Sequence, residues 1–172
     1  LEATYALRDS RLACGLQLTN TAAEPAPAGL GWHPYFSRVL SRPEEPVWLQ
    51  TTAARAFPDA RDNRIPSGPA APVPRDQDFA PGRRLAPDHF LDTCYAGYSG
   101  ESRIWWPESA VELQLTCSAT CTHLVLYNPL GKPYFAVEPV TNANNGVNLL
   151  ARGDRDAGTR ALAPGQALAA SF

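Results

Sequence analysis

Apolar and polar residues alternate with a period of two along most of this chain, and nowhere do ten or more residues show the i, i+3, i+4, i+7 apolar spacing of an amphipathic helix. A period of two sends successive side chains to opposite faces of a strand, so the core has to be built from sheets. In Leu12-Ala13-Cys14-Gly15-Leu16-Gln17-Leu18, positions 12, 14, 16 and 18 share one face, and the opening segment from Glu2 to Leu18 reads throughout as alternating strand. Val111 to Cys117 alternates more cleanly, with Glu112, Gln114 and Thr116 turned to solvent. His123 to Tyr127 is a run of the buried kind. Asn128-Pro129-Leu130-Gly131-Lys132-Pro133 follows as a turn, because proline presets φ and glycine accepts positive φ. Tyr134 to Glu138 then returns antiparallel to 123–127, and Ala167 to Phe172 closes the chain as a short strand.

Nine of the 17 prolines lie between Pro43 and Pro87, a region that reads as long loops with short strands such as Val47-Trp48-Leu49. A chain of 172 residues fits one domain, 1–172, and can bury about 70% of its unfolded surface. The expectation is all-β: a large antiparallel β-sandwich with proline-rich loops at its edge. A net charge of −2 gives no basic footprint for nucleic acid, and no apolar run approaches the ~18 residues of a membrane span. No signal-peptide pattern is visible. Cys14, Cys94, Cys117 and Cys121 read as reduced, packed thiols of a cytoplasmic protein, because a chain this long can hold a core without disulfides. Cys117, Cys121 and His123 match no familiar zinc spacing and leave a fourth ligand unassigned, so no metal is expected.

Two segments bear on chemistry. Glu138 ends the apolar run Tyr134-Phe135-Ala136-Val137, where a charge is costly without a partner or a task. If Phe135 and Val137 fill the core, Glu138 faces the other surface at the end of its strand, beside a proline that stops pairing. The pattern alone leaves two readings, a solvated strand-end glutamate or a base. His33 follows Gly29, Gly31 and Trp32 and precedes Pro34-Tyr35-Phe36. An imidazole titrates near pH ~6.5 and suits proton transfer, and the surrounding aromatic rings suit the C–H face of a sugar. A packed histidine in a turn is the competing reading.

The strings Trp32-His33-Pro34-Tyr35-Phe36 and Glu138-Pro139-Val140-Thr141-Asn142 resemble the aldose 1-epimerase (galactose mutarotase-like) family, in the branch with a His-Pro-Tyr-Phe motif. That resemblance implies a supersandwich fold and selects the chemical reading for both residues. Glu138 would remove the C1 hydroxyl proton of a sugar while protonated His33 donates to the ring oxygen. Asp92, with Tyr95 close by, looks like the family's sugar-binding aspartate; Asp88 is its competitor. Trp32, Tyr35 or Trp105-Trp106 would stack against the ring, and no cofactor is implied. Family chains are longer, with a β-rich segment ahead of the histidine motif, so the expectation is a C-terminal portion with N-terminal strands missing. The family also uses an arginine and a second histidine upstream, whereas only Arg8 and Arg11 precede His33 here.

The functional expectation is interconversion of the α and β anomers of a hexose or related sugar. The alternative is a non-catalytic carbohydrate-binding or regulatory module on the same sandwich, which the absent upstream residues favour. A glycosidase pairing Glu138 with Asp92 is the third reading. It requires carboxyl groups ~5–5.5 Å or ~6.5–9.5 Å apart and gives the histidine no role.

Overall fold

The structure, a computed structural model, describes residues 1–172. The first strands are β1 (Glu2–Arg8), β2 (Arg11–Thr19), β3 (Ala26–Ala28), β4 (Tyr35–Ser37), β5 (Trp48–Ala56), β6 (Ala71–Pro72) and β7 (Arg83–Arg84). After them come β8 (Leu91–Trp106), β9 (Val111–Thr116), β10 (His123–Asn128), β11 (Tyr134–Val140), β12 (Arg160–Leu162) and β13 (Ala167–Ser171). A 3-10 turn at Arg75–Gln77 and a short helix, α1 (Gly146–Ala151), complete the chain. Every strand pairing is antiparallel.

The main sheet runs β4-β11-β10-β8-β5-β6, with β7 beside β5 and β9 beside β8. The 16-residue β8 is its spine: one edge carries β10 and then β9, and the other carries β5. Alternation sorts its side chains. Leu91, Tyr95, Leu124, Leu126, Phe135 and Val137 lie in the principal core, while Cys94, Ala96 and Val125 face the other way, into a smaller cluster with Phe57, Ala143 and Leu149 of α1. A second sheet, β1-β2-β13, turns Leu16, Leu168 and Ala170 onto Ala28, Leu30, Cys121 and Leu162, around the paired β3 and β12. The architecture is an all-β antiparallel sandwich.

Three features differ from expectation. The opening segment is a hairpin, not one strand: Asp9 takes φ 50° at a tight turn, a conformation aspartate tolerates. β8 carries no clean alternation in the sequence because Gly97 and Gly100 interrupt it at positive φ, and its pairing with β5 shifts register between Thr51 and Ala53. Pro139 does not stop pairing. Its carbonyl accepts from the Trp32 amide at 3.1 Å, so the edge where a donor is missing faces away from β10, and β11 continues to Val140.

The β1-β2 hairpin projects beyond the layer beneath it. Ala3, Tyr5 and Leu7 share the inward face of β2, yet Tyr5 and Leu7 remain exposed; a groove of about 760 Å³ begins at the hairpin's turn and includes Leu12, Trp32, Trp106, Leu115 and Phe172.

Candidate active site

The centre of the site is set by register. Tyr35 pairs with Ala136 and Gly31 with Val140, so the intervening residue of the same facing, His33, falls opposite Glu138. Leu30 N–H donates to the Thr141 hydroxyl, and the Thr141 amide donates to the Leu30 carbonyl, both at 2.8 Å, which fastens residues 29–32 along the edge of β11. Close approach requires Gly31, where a Cβ would sit 2.6 Å from Val140, and Gly29, where it would collide with Asn142. Phe135 and Val137 do fill the core, and Glu138 faces the opposite surface.

His33 Nε2 lies 3.3 Å from Glu138 Oε1. The two groups converge on one face, in direct contact. Glu138 is only 7% exposed, which removes the reading of a solvated strand-end glutamate. Burial pushes its carboxyl up from the ordinary 4.5 to about 7, with a further push from the charge of Asp92. His33 is half exposed, and its ring stacks on Tyr35 at 4.7 Å; Tyr35 meets the edge of Tyr134 at 5.2 Å. Glu138 lines a cavity of about 520 Å³ with Gly29, Gly31, Val125, Asn142 and Asn144.

Asp92 joins the same face of the sheet. It pairs with Tyr127 two positions along from the Val125–Cys94 pairing that flanks Glu138. Asp88 lies in an exposed turn. Tyr95 points into the core, where its hydroxyl donates to the Gln77 carbonyl at 3.0 Å. Asp92 Oδ2 accepts from Arg64 Nε at 2.5 Å, and Arg64 also pairs with Asp59 and Asp62 and lies over the Phe90 ring.

The structure does not bring the tryptophans to Glu138 and His33. Trp32 is one residue out of phase with His33, so it turns to the core side and packs on Phe172 at 6.0 Å. Trp105 stacks on Trp48 at 5.8 Å, and buried Trp106 donates to the Ser37 carbonyl at 3.2 Å. His123 is buried, with Nε2 2.8 Å from the Asp156 carbonyl and Nδ1 2.9 Å from the Thr122 hydroxyl; burial lowers its pKa. No group of three His, Cys, Asp or Glu side chains is arranged to hold a metal.

Two contributors were not legible beforehand. Arg64 arrives from the proline-rich loop region, where nothing local marks it. Asn144 and Asn145 form a turn, with Asn145 at φ 59° before α1, and that turn lines the Glu138 cavity.

The family model described as aldose 1-epimerase matches residues 1–172. YphB of Escherichia coli (strain K12), described as uncharacterized, is 28% identical, the match taking in 94% of this chain and 54% of that protein. Among solved structures, one from Escherichia coli K12 superposes with a TM-score of 0.81 at 23% identity, over 98% of this chain and 57% of the other. A galactose mutarotase-like protein from Clostridium acetobutylicum gives a TM-score of 0.80 at 18% identity, over 98% and 53%. The chain thus spans little more than half the length of these relatives. No helix is long and apolar enough to cross a membrane.

Proposed function

The chain belongs to the aldose 1-epimerase family, and from that premise we propose that it carries the acid–base pair of an enzyme interconverting the α and β anomers of a hexose or related sugar. Glu138, as carboxylate, takes the proton of the C1 hydroxyl. His33, as imidazolium, gives a proton to the ring oxygen. The bond from C1 to the ring oxygen breaks, the C1–C2 bond of the open aldehyde rotates, and closure with the roles reversed delivers the other anomer. Asp92 accepts a sugar hydroxyl and Tyr35 offers an aromatic face, while Trp32 and the Trp105-Trp106 pair have no part. No cofactor is needed for this proton traffic, and four unpaired cysteines support a reducing, cytoplasmic setting.

The observation that carries the reading is the 3.3 Å approach of His33 to a buried Glu138. The C1 hydroxyl and the ring oxygen are bonded to the same carbon, so an acid and a base serving them have to stand close together. A carboxyl near 7 is also matched to a base that must take and return a proton around neutrality.

Polarimetry of freshly dissolved α-glucose and α-galactose tests it. The chain should accelerate mutarotation, and Glu138→Gln or His33→Asn should each slow it by ~10²–10⁴. An unchanged rate in Glu138→Gln removes the carboxylate from this role. A chain that binds sugar without accelerating the change in rotation is instead a binding module, the reading favoured by its spanning only about half of its relatives' length.

A further inference from the structure

Arg64 occupies a position that its neighbours have been shaped to hold. The Asp59 carboxylate accepts from the amides of Asn63 at 3.1 Å and Arg64 at 2.9 Å, folding 59–64 into a tight loop. Arg64 itself sits at φ 63°, a left-handed conformation uncommon for a residue other than glycine. From there its Nε reaches Asp92 Oδ2 at 2.5 Å, its guanidinium covers the Phe90 ring at 5.3 Å, and its carbonyl accepts from Asn144 of the loop lining the Glu138 cavity at 3.3 Å. One side chain and its own backbone thereby tie the two carboxylate-bearing regions together. No protein group donates to Asp92 Oδ1. Asp92, Arg64, Asp59 and Phe90 line a further cavity of about 260 Å³.

We propose that Arg64 is a positioning residue: it fixes the rotamer of Asp92 through Oδ2, leaves Oδ1 to accept a sugar hydroxyl, and shields Glu138 from the Asp92 charge. The assignment rests on Glu138 and Asp92 forming one sugar site. Asp59 and Asp62 both pair with Nη1 of Arg64 while Nε holds Asp92, and three carboxylates around one guanidinium leave little net positive charge for an anionic ligand. The groups facing Glu138 are His33 from the 29–34 segment, Asp92 and Cys94 from β8, Tyr127 from β10 and Tyr35 from β4. Among these, Asp92 is the carboxylate whose charge pushes Glu138 upward, and Arg64 is the cation paired with it. Removing the guanidinium should strengthen that push; removing the Asp92 charge should abolish both the push and the effect of Arg64.

The test is a double-mutant cycle read by carboxyl ¹³C NMR titration of Glu138 in the whole chain, its resonance assigned by its loss in Glu138→Gln. Wild type should titrate near 7. Arg64→Gln should move the midpoint up by about half a unit or more, Asp92→Asn should move it down, and the double variant should match Asp92→Asn alone. Arg64→Lys, which keeps the charge and loses the planar fork, should return the midpoint most of the way to wild type and covers the case in which Arg64→Gln loses its fold. In the mutarotation assay, Arg64→Gln should raise KM more than it lowers kcat, and it should shift the rising limb of the pH profile with the NMR midpoint. An Arg64→Gln midpoint equal to wild type, or an equal shift in the Asp92→Asn background, overturns the proposal. The NMR arm needs no turnover, so a chain that shows the cycle but does not anomerise sugar refutes the proposed activity and upholds the pairing.

Discussion

Replacing Glu138 by glutamine should make the fold more stable above neutral pH and leave it nearly unchanged in mild acid. The folded carboxyl titrates at about 7 where an unstructured one titrates at 4.5, so the folded chain holds this proton more tightly than the unfolded chain does. Below 4.5 both states are protonated and the group costs little. As pH rises from 4.5 to 7 the unfolded state ionises first, and stability falls by roughly 1.4 kcal/mol per pH unit. The deficit levels off above 7 at roughly 3 kcal/mol, an upper value because water reaches part of the cavity. Glutamine carries no charge to desolvate and escapes that cost. For a chain of this size each kcal/mol moves the Tm by about 2–4 °C, so the variant should melt several degrees above wild type near pH 8.5 and level with it near pH 4.5. Paired thermal and urea melts at the two pH values measure the difference, and titrations common to both proteins cancel. A wild-type-minus-variant gap that stays constant between them would refute the claim that burial raises the Glu138 carboxyl.

Two further outcomes follow from packing. Gly158 sits at φ 68°, and a Cβ there would meet the Thr141 carbonyl at 2.4 Å and the His123 ring at 2.7 Å, so Gly158→Ala should destabilise by at least about 2 kcal/mol in urea melts. Thiol titration of the denatured chain, prepared without reductant, should find four reactive groups, matching four unpaired cysteines.

The clean strands were readable because their side chains face two unlike environments. Val111–Thr116 and the 123–128 and 134–140 pair announce themselves through alternation and through the proline–glycine turn between the latter two. The facing of Glu138 followed from the same logic, since Phe135 and Val137 could only go inward. β8 was opaque because it changes partners midway, from β10 to β9, and bends at two glycines; a single strand then has more than one pattern of burial. Trp32 shows the limit of reading a motif as a unit. Five consecutive residues that recur together in a family need not share a face, and strand alternation sends Trp32 and His33 in opposite directions. Arg64 could not be found at all, because its approach to Asp92 depends on a loop closed by the Asp59 side chain over a separation that carries no period.

The strand that bears Glu138 is hydrogen-bonded on both sides, to β10 along its length and to β4 and residues 30–32 at its outer edge. Segments so placed exchange their amide hydrogens only when the whole domain opens, whereas a surface loop such as 59–66, closed by a few side-chain hydrogen bonds, opens by itself. On the proposed function, the proton-transfer group is therefore as durable as the fold, and the loop that holds Arg64 is its less durable neighbour. Under that proposal, sequence drift in 59–66 would alter how Asp92 is held while leaving Glu138 in place.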